Sequence, residues 1–170
     1  FAWQFGLNWQ KLLSESDGIV YEYNWTDHRI YKHKFPINDY YSHDQPLGYW
    51  AGPHAEELLV QYQYGLHSYQ IHLTFSNAKR GALTEEMLYN KYHDIENQRF
   101  SGDPGHEQIS LLRIDVQKDL IIKGLSYQIG VDWIQWKNAG FDVFNPSLNP
   151  VKNINKISVN AAVFYNFIFD

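Results

Sequence analysis

Ile157-Ser158-Val159-Asn160-Ala161-Ala162-Val163-Phe164-Tyr165-Asn166-Phe167-Ile168-Phe169 is the stretch on which the fold turns. Successive side chains of a strand point to opposite faces. Ile157, Val159, Ala161, Val163, Tyr165, Phe167 and Phe169 therefore share one face, and Ser158, Asn160, Ala162, Phe164, Asn166 and Ile168 the other. Phe1, Trp3, Phe5, Leu7 and Trp9 alternate with Ala2, Gln4, Gly6, Asn8 and Gln10 in the same way. Each stretch thus has one wholly apolar, aromatic-rich face, which requires either a core or lipid.

Working outward, five further stretches alternate likewise and bring the strand candidates to seven. The second runs from Ile19 to about Tyr31, and the third has Leu58, Val60, Tyr62 and Tyr64 on one face. The fourth carries Tyr69, Ile71, Leu73 and Phe75, the fifth Leu112, Ile114 and Val116, and the sixth Leu125, Tyr127, Ile129, Val131 and Trp133. The opposite faces hold mainly Gln, Asn, Ser, Thr and Gly. A soluble sandwich shows the same period with its apolar face turned inward, so period alone leaves both architectures open. Most candidates nonetheless reach the ~9–11 residues of a transmembrane strand, beyond the usual soluble length of about 5–6.

The connections discriminate further. Short links lie at Ser14 to Gly18, Gly65 to Ser68 and Lys118 to Leu120, and long ones at about Lys32 to Ala55, Asn77 to His106 and Lys137 to Lys156. Short and long alternate throughout, as in outer-membrane barrels with short periplasmic turns and long extracellular loops. The expected fold is all-β: an antiparallel up-and-down transmembrane β-barrel, a single domain over residues 1–170. With a periplasmic C-terminus the first strand would descend from outside. Because single-chain barrels usually have an even strand number, the expectation is about seven strands forming the C-terminal portion of a larger barrel. The last strand would then pair with the sixth on one side only. One short helix is expected in the middle long loop: Thr84 can cap it, Glu85 and Glu86 suit its first turn, and Leu88, Tyr92 and Ile95 share a face.

Composition narrows the function classes. The net charge of -5 argues against a nucleic-acid partner, which normally requires a basic stripe. With no cysteine there is neither a disulfide framework nor a thiolate metal site. No apolar run approaches the ~20 residues of a membrane-spanning helix. The 13 Tyr and 6 Trp suit membrane–water interfaces, since each ring carries a polar tip.

Residues with chemistry fall in two groups. The first long loop holds Tyr40, Tyr41, Asp44, Tyr49 and Trp50, with His43 and His54 nearby. Rings stack on sugar faces while carboxylates bond hydroxyls, so these five are the candidate glycan contacts. The competing reading is a loop packing its own aromatics. The second group, Glu22, Arg113, Asp115 and Asp132, lies on the polar faces and would line a lumen, with Arg113 and Asp132 within reach across a hairpin. Asp27, His28 and His33 could suggest a metal site, but no spacing matches a zinc pattern such as H-E-x-x-H, and exposed loop histidines are expected instead. His72 and Ser76 lie about 13 Å apart along a strand, too far for a nucleophile and its base. The chain is expected not to be an enzyme and to need no cofactor or metal.

Pro46-Leu47-Gly48-Tyr49 followed by Gly52-Pro53-His54-Ala55-Glu56-Glu57-Leu58 resembles a stretch of the capsule-assembly proteins of the Wzi family, and Tyr21-Glu22-Tyr23 and Arg80-Gly81 fit around it. The resemblance covers roughly Ile19 to Gly81. Tyr49 stands where the family more often has His, and Tyr40 to Gln45 replaces a basic, glycine-rich run. The resemblance implies a bacterial outer-membrane barrel that binds or organises capsular or other surface polysaccharide. The partners implied are outer-membrane lipid, surface polysaccharide and other subunits of an envelope complex. Two alternatives stand beside this reading: a porin or substrate channel tuned by the four charges, and a soluble β-sandwich or lipocalin-like ligand binder.

Overall fold

The computed structural model describes residues 1–30, 41–42, 45–46, 50–83, 100, 105–122, 124–143 and 152–166. Its strands are β1 (Ala2–Gln10), β2 (Asp17–Thr26), β3 (Tyr41–Ser42), β4 (Gln45–Pro46), β5 (Ala55–Leu66), β6 (Tyr69–Gly81), β7 (His106–Asp119), β8 (Leu125–Lys137) and β9 (Ile154–Tyr165). Seven form one antiparallel up-and-down sheet in the order β1-β2-β5-β6-β7-β8-β9, and β3 pairs with β4 in a separate two-stranded piece. Among the described residues the sheet is not closed into a barrel: β1 and β9 are its edges there, and β9 pairs with β8. The helix expected between Thr84 and Ile95, and Phe167 to Phe169 of the last strand, lie outside the described residues.

The strands run longer than their apolar alternation. β6 continues past Ser76 to Gly81, where Asn77, Lys79 and Gly81 pair with Ser110, Gln108 and His106. The ladder is made by backbone N–H and C=O groups, so pairing continues after the apolar side chains stop. β2 departs in the other direction. It ends at Thr26 rather than near Tyr31, because the Asp27 carboxylate accepts the Arg29 N–H at 2.9 Å and turns the chain.

The short connections lie at one end of the sheet, the turn end. His67 and Ser68 join β5 to β6, and the left-handed φ of 55° at His67 suits a two-residue hairpin. Between β1 and β2, Asp17 takes the Leu13 N–H at 2.9 Å and the Tyr62 hydroxyl at 3.0 Å. Between β7 and β8, Gly124 adopts a φ of 83°, and its carbonyl accepts the Asn166 N–H at 2.8 Å.

The register puts the apolar positions of all seven strands on one face. Leu7, Tyr21, Val60, Phe75, Leu112, Trp133 and Ile157 form one continuous row across the sheet, and Trp9, Ile19, Tyr62, Leu73, Ile114, Val131 and Val159 the next. Much of this face is exposed: Trp3, Phe5, Phe75, Ile114 and Val131 are among its exposed residues, and Val159 and Val163 are 72% and 73% accessible. Buried apolar residues among those described are Trp25, Ala51, Ala55, Ala78, Ala82, Leu83 and Phe141. They lie at the loop end, where the long connections leave, Trp25 on the apolar face of the sheet and Ala78 on the polar face.

Candidate functional site

The loop end holds two buried histidines. His28 and His54 are 0% and 1% exposed, and Asp27 beside them is 1% exposed. The Asp27 Oδ1 lies 2.9 Å from His28 Nδ1. His54 Nδ1 donates to the Ala82 carbonyl at 2.6 Å, and its ring stacks on Phe100 at 5.6 Å. The left-handed φ of 54° at His54 swings the ring over Gly81, where a Cβ would fall 2.7 Å from ring atoms. The Thr26 hydroxyl fastens the segment, lying 2.8 Å from the Gly52 carbonyl and 3.0 Å from the Ala55 N–H. The Gly52-Pro53-His54-Ala55 and Arg80-Gly81 segments therefore meet, with Ala55 paired to Arg80.

The Asp27 carboxyl is held below the usual carboxylate range. Burial, the largest influence, pushes it upward. The Arg29 N–H and guanidinium and the neighbouring His28 together outweigh burial. The expectation that His28 would be an exposed loop residue is corrected: it is fully buried beside Asp27. Nothing in the periodicity signals this, because both histidines lie past the ends of strands. His33 lies outside the described residues, and among the described residues no three metal-capable side chains converge.

Of the five glycan candidates, Tyr40, Asp44 and Tyr49 lie outside the described residues. Tyr41 falls in β3 opposite Pro46. Trp50 is 52% exposed at the loop end, and its indole N–H donates to Glu57 at 2.9 Å. Glu57 also accepts the Ser76 hydroxyl at 3.3 Å, so an exposed ring is fixed to two strands through one carboxylate.

Glu22, Arg113, Asp115 and Asp132 all project from the polar face. Arg113 binds Asp132 through two parallel hydrogen bonds of 2.6 and 3.0 Å. Asp115 accepts the Gln128 amide at 3.0 Å. Glu22 stands between Gly6 and Leu59, two strands from β6. His72 pairs in register with Gln63 and Asp115, while Ser76 is spent on Glu57. Glycines let long polar side chains lie flat on this face. Gln10 crosses over Gly18, and Asp115 and Asn160 converge over Gly130 from both sides.

The chain matches no family model, no curated protein and no solved structure. What the site can do therefore has to come from its own geometry: a polar wall, a pinned exposed indole, and an exposed apolar face behind them.

Proposed function

We propose that this sheet is a section of the wall of an outer-membrane β-barrel. The apolar face lies against lipid and the polar face looks inward. The observation that carries the reading is the slant of the exposed apolar band. In β1 the band runs from Trp3 to Trp9, and in β9 from Ile157 to Tyr165, where Ile157 is level with Leu7. Its centre slides about five residues toward the turn end over six strand steps. With a rise of ~3.3 Å per residue and strands ~4.8 Å apart, a level band requires a strand tilt of roughly 30°. Transmembrane barrels tilt their strands by about 35–45°.

Both margins of the band support the same reading. Trp3, Tyr23 and Trp133 lie toward the loop end, and Trp9, Tyr62, Tyr64, Tyr69, Tyr127 and Tyr165 toward the turn end. Aromatic girdles flank the hydrocarbon zone of such barrels. Along β8 the band from Leu125 to Trp133 is about 27 Å long, or roughly 23 Å once tilted by about 30°, close to the ~25 Å of an outer-membrane apolar band. An exposed apolar face that runs across seven strands is the kind of surface that marks contact with lipid or a partner.

Within that barrel the protein binds or organises capsular or other surface polysaccharide and catalyses no reaction. The resemblance around Gly52 to Leu58 and the exposed Trp50 indole support this part. A channel is the second reading, favoured by the Arg113–Asp132 pair and the flat amides of the polar face. Heat-modifiable gel migration and dependence on detergent test the barrel; a stable monomer without detergent would refute it. Loss of surface capsule in a deletion strain, with polysaccharide export intact, tests the assembly role. Planar-bilayer conductance is the readout that would move the assignment to the channel.

A further inference from the structure

Above the apolar band, on the same face, β6, β7 and β8 bring two lysines into one row. Lys79 pairs with Gln108, and Gln108 pairs with Lys137. The two lysines stand two strands apart, about 10 Å at the backbone. One level closer to the band lies a row of neutral hydrogen-bonding side chains: Asn77, Ser110, Gln135 and Asn155. Asn77 donates to Ser110 at 2.7 Å, and Asn155 takes the Trp133 indole N–H at 2.7 Å, so this row is already ordered. The next level is Phe75, Leu112, Trp133 and Ile157, inside the band. On β1 and β2 the level of Lys79 is occupied by Trp3 and Trp25 instead. The polar patch is therefore confined to one sector of the sheet.

From this juxtaposition we infer that Lys79, Gln108 and Lys137 form a docking surface for the phosphate of an anionic lipid in the leaflet on the loop-end side. The inference rests on the barrel reading, which puts this row at headgroup depth. Charge and chemistry complement the ligand: two ammonium groups flank an amide donor, and an apolar wall lies below for the acyl chains. Lysines near an anionic lipid surface attract it electrostatically. Glu56 reduces the contribution of Lys79, since it holds that ammonium at 3.2 Å. Lys137 is exposed and forms no ion pair with a described residue, which leaves it the more available cation. The phosphate would draw Lys79 partly away from Glu56 and bridge to Lys137.

The test uses the full-length protein in zwitterionic detergent, with phosphatidylglycerol or phosphatidylcholine added and bound lipid counted by native mass spectrometry. The wild type should retain phosphatidylglycerol in preference to phosphatidylcholine, and K79Q/K137Q should retain it about ten-fold more weakly. Heat-modifiable migration should be the same for both proteins. If the double variant does not fold, K137Q alone should show a smaller loss, and K79R/K137R should retain phosphatidylglycerol as the wild type does. Equal retention of phosphatidylglycerol by the wild type and the glutamine variant would overturn the proposal while leaving the barrel intact. Absence of heat-modifiable migration in the wild type would instead remove the barrel reading, and the docking surface with it.

Discussion

Two glycines show how the same substitution takes its cost from what lies over it. A Cβ at Gly81 would meet the His54 ring, which is buried and tied to the Ala82 carbonyl at 2.6 Å. The ring has nowhere to move, so Gly81→Ala should destabilise the protein by about 1–3 kcal/mol, as overpacking of a filled site does. A Cβ at Gly18 would meet only the far end of Gln10, which is exposed and can swing away. Gly18→Ala should stay within about 0.5 kcal/mol. Denaturant midpoints of the two variants, measured side by side, check the contrast. Asp27 carries a pH dependence of definite sign. Its carboxyl titrates lower in the folded protein than the ordinary 3.8. Ionised Asp27 therefore stabilises the fold above about pH 4, and this contribution is lost as pH falls through the lowered value. Asp27→Asn should remove that part of the acid sensitivity. Unfolding midpoints followed from about pH 5 down to about pH 2 should be flatter in the variant, and identical slopes would count against the assignment.

At the scale of strands, the alternating apolar residues located all seven elements of the sheet, and the alternation of short and long connections gave their up-and-down order. The residues did so because one face of every strand is continuously apolar, which only a period of two can produce. Strand ends were not legible. Asn77 to Gly81 and His106 to Ser110 carry no apolar alternation, yet they pair backbone to backbone at full register. The buried loop-end histidines were equally hidden: His54 is buried through its left-handed backbone and the bare Gly81 beneath it, features of the folded chain that no spacing encodes. The Arg113–Asp132 pair was legible, because the two residues fall opposite each other in a hairpin with a short turn. The Arg113 side chain is 44% exposed, so solvent screening limits what the pair contributes. A double-mutant cycle with Arg113→Ala and Asp132→Ala should give a coupling of roughly 0.5–1 kcal/mol, the upper part of the exposed-pair range because the contact is bidentate. Exchanging the two residues should restore most of the coupling, whereas a single charge removal should not.

For the molecule as a whole, the two faces of the sheet should respond oppositely to the same inserted charge. Val131 lies in the middle of the apolar band, between Ile114 and Val159, and is 42% exposed. Gln61 lies on the polar face at a similar depth, between Val20 and Thr74. If lipid covers the band, an arginine at position 131 has to leave water for hydrocarbon, and Val131→Arg should cost about 2–4 kcal/mol in vesicles. Gln61→Arg keeps its charge on the hydrated side and should cost no more than about 0.5 kcal/mol. Near the margin of the band the penalty falls to about 0–1 kcal/mol, so Asn155→Arg, one level beyond Ile157, should cost no more than about 1 kcal/mol even with its hydrogen bond to the Trp133 indole lost. Reversible urea unfolding in phosphatidylcholine vesicles, followed by tryptophan fluorescence, measures all three. The gradient from Val131 to Asn155 is the decisive quantity. A soluble sandwich would penalise Val131→Arg as well, but it would show no dependence on depth from the band margin and would unfold the same way without lipid. A flat profile along the face would therefore remove the lipid from this account even if Val131→Arg alone proved costly.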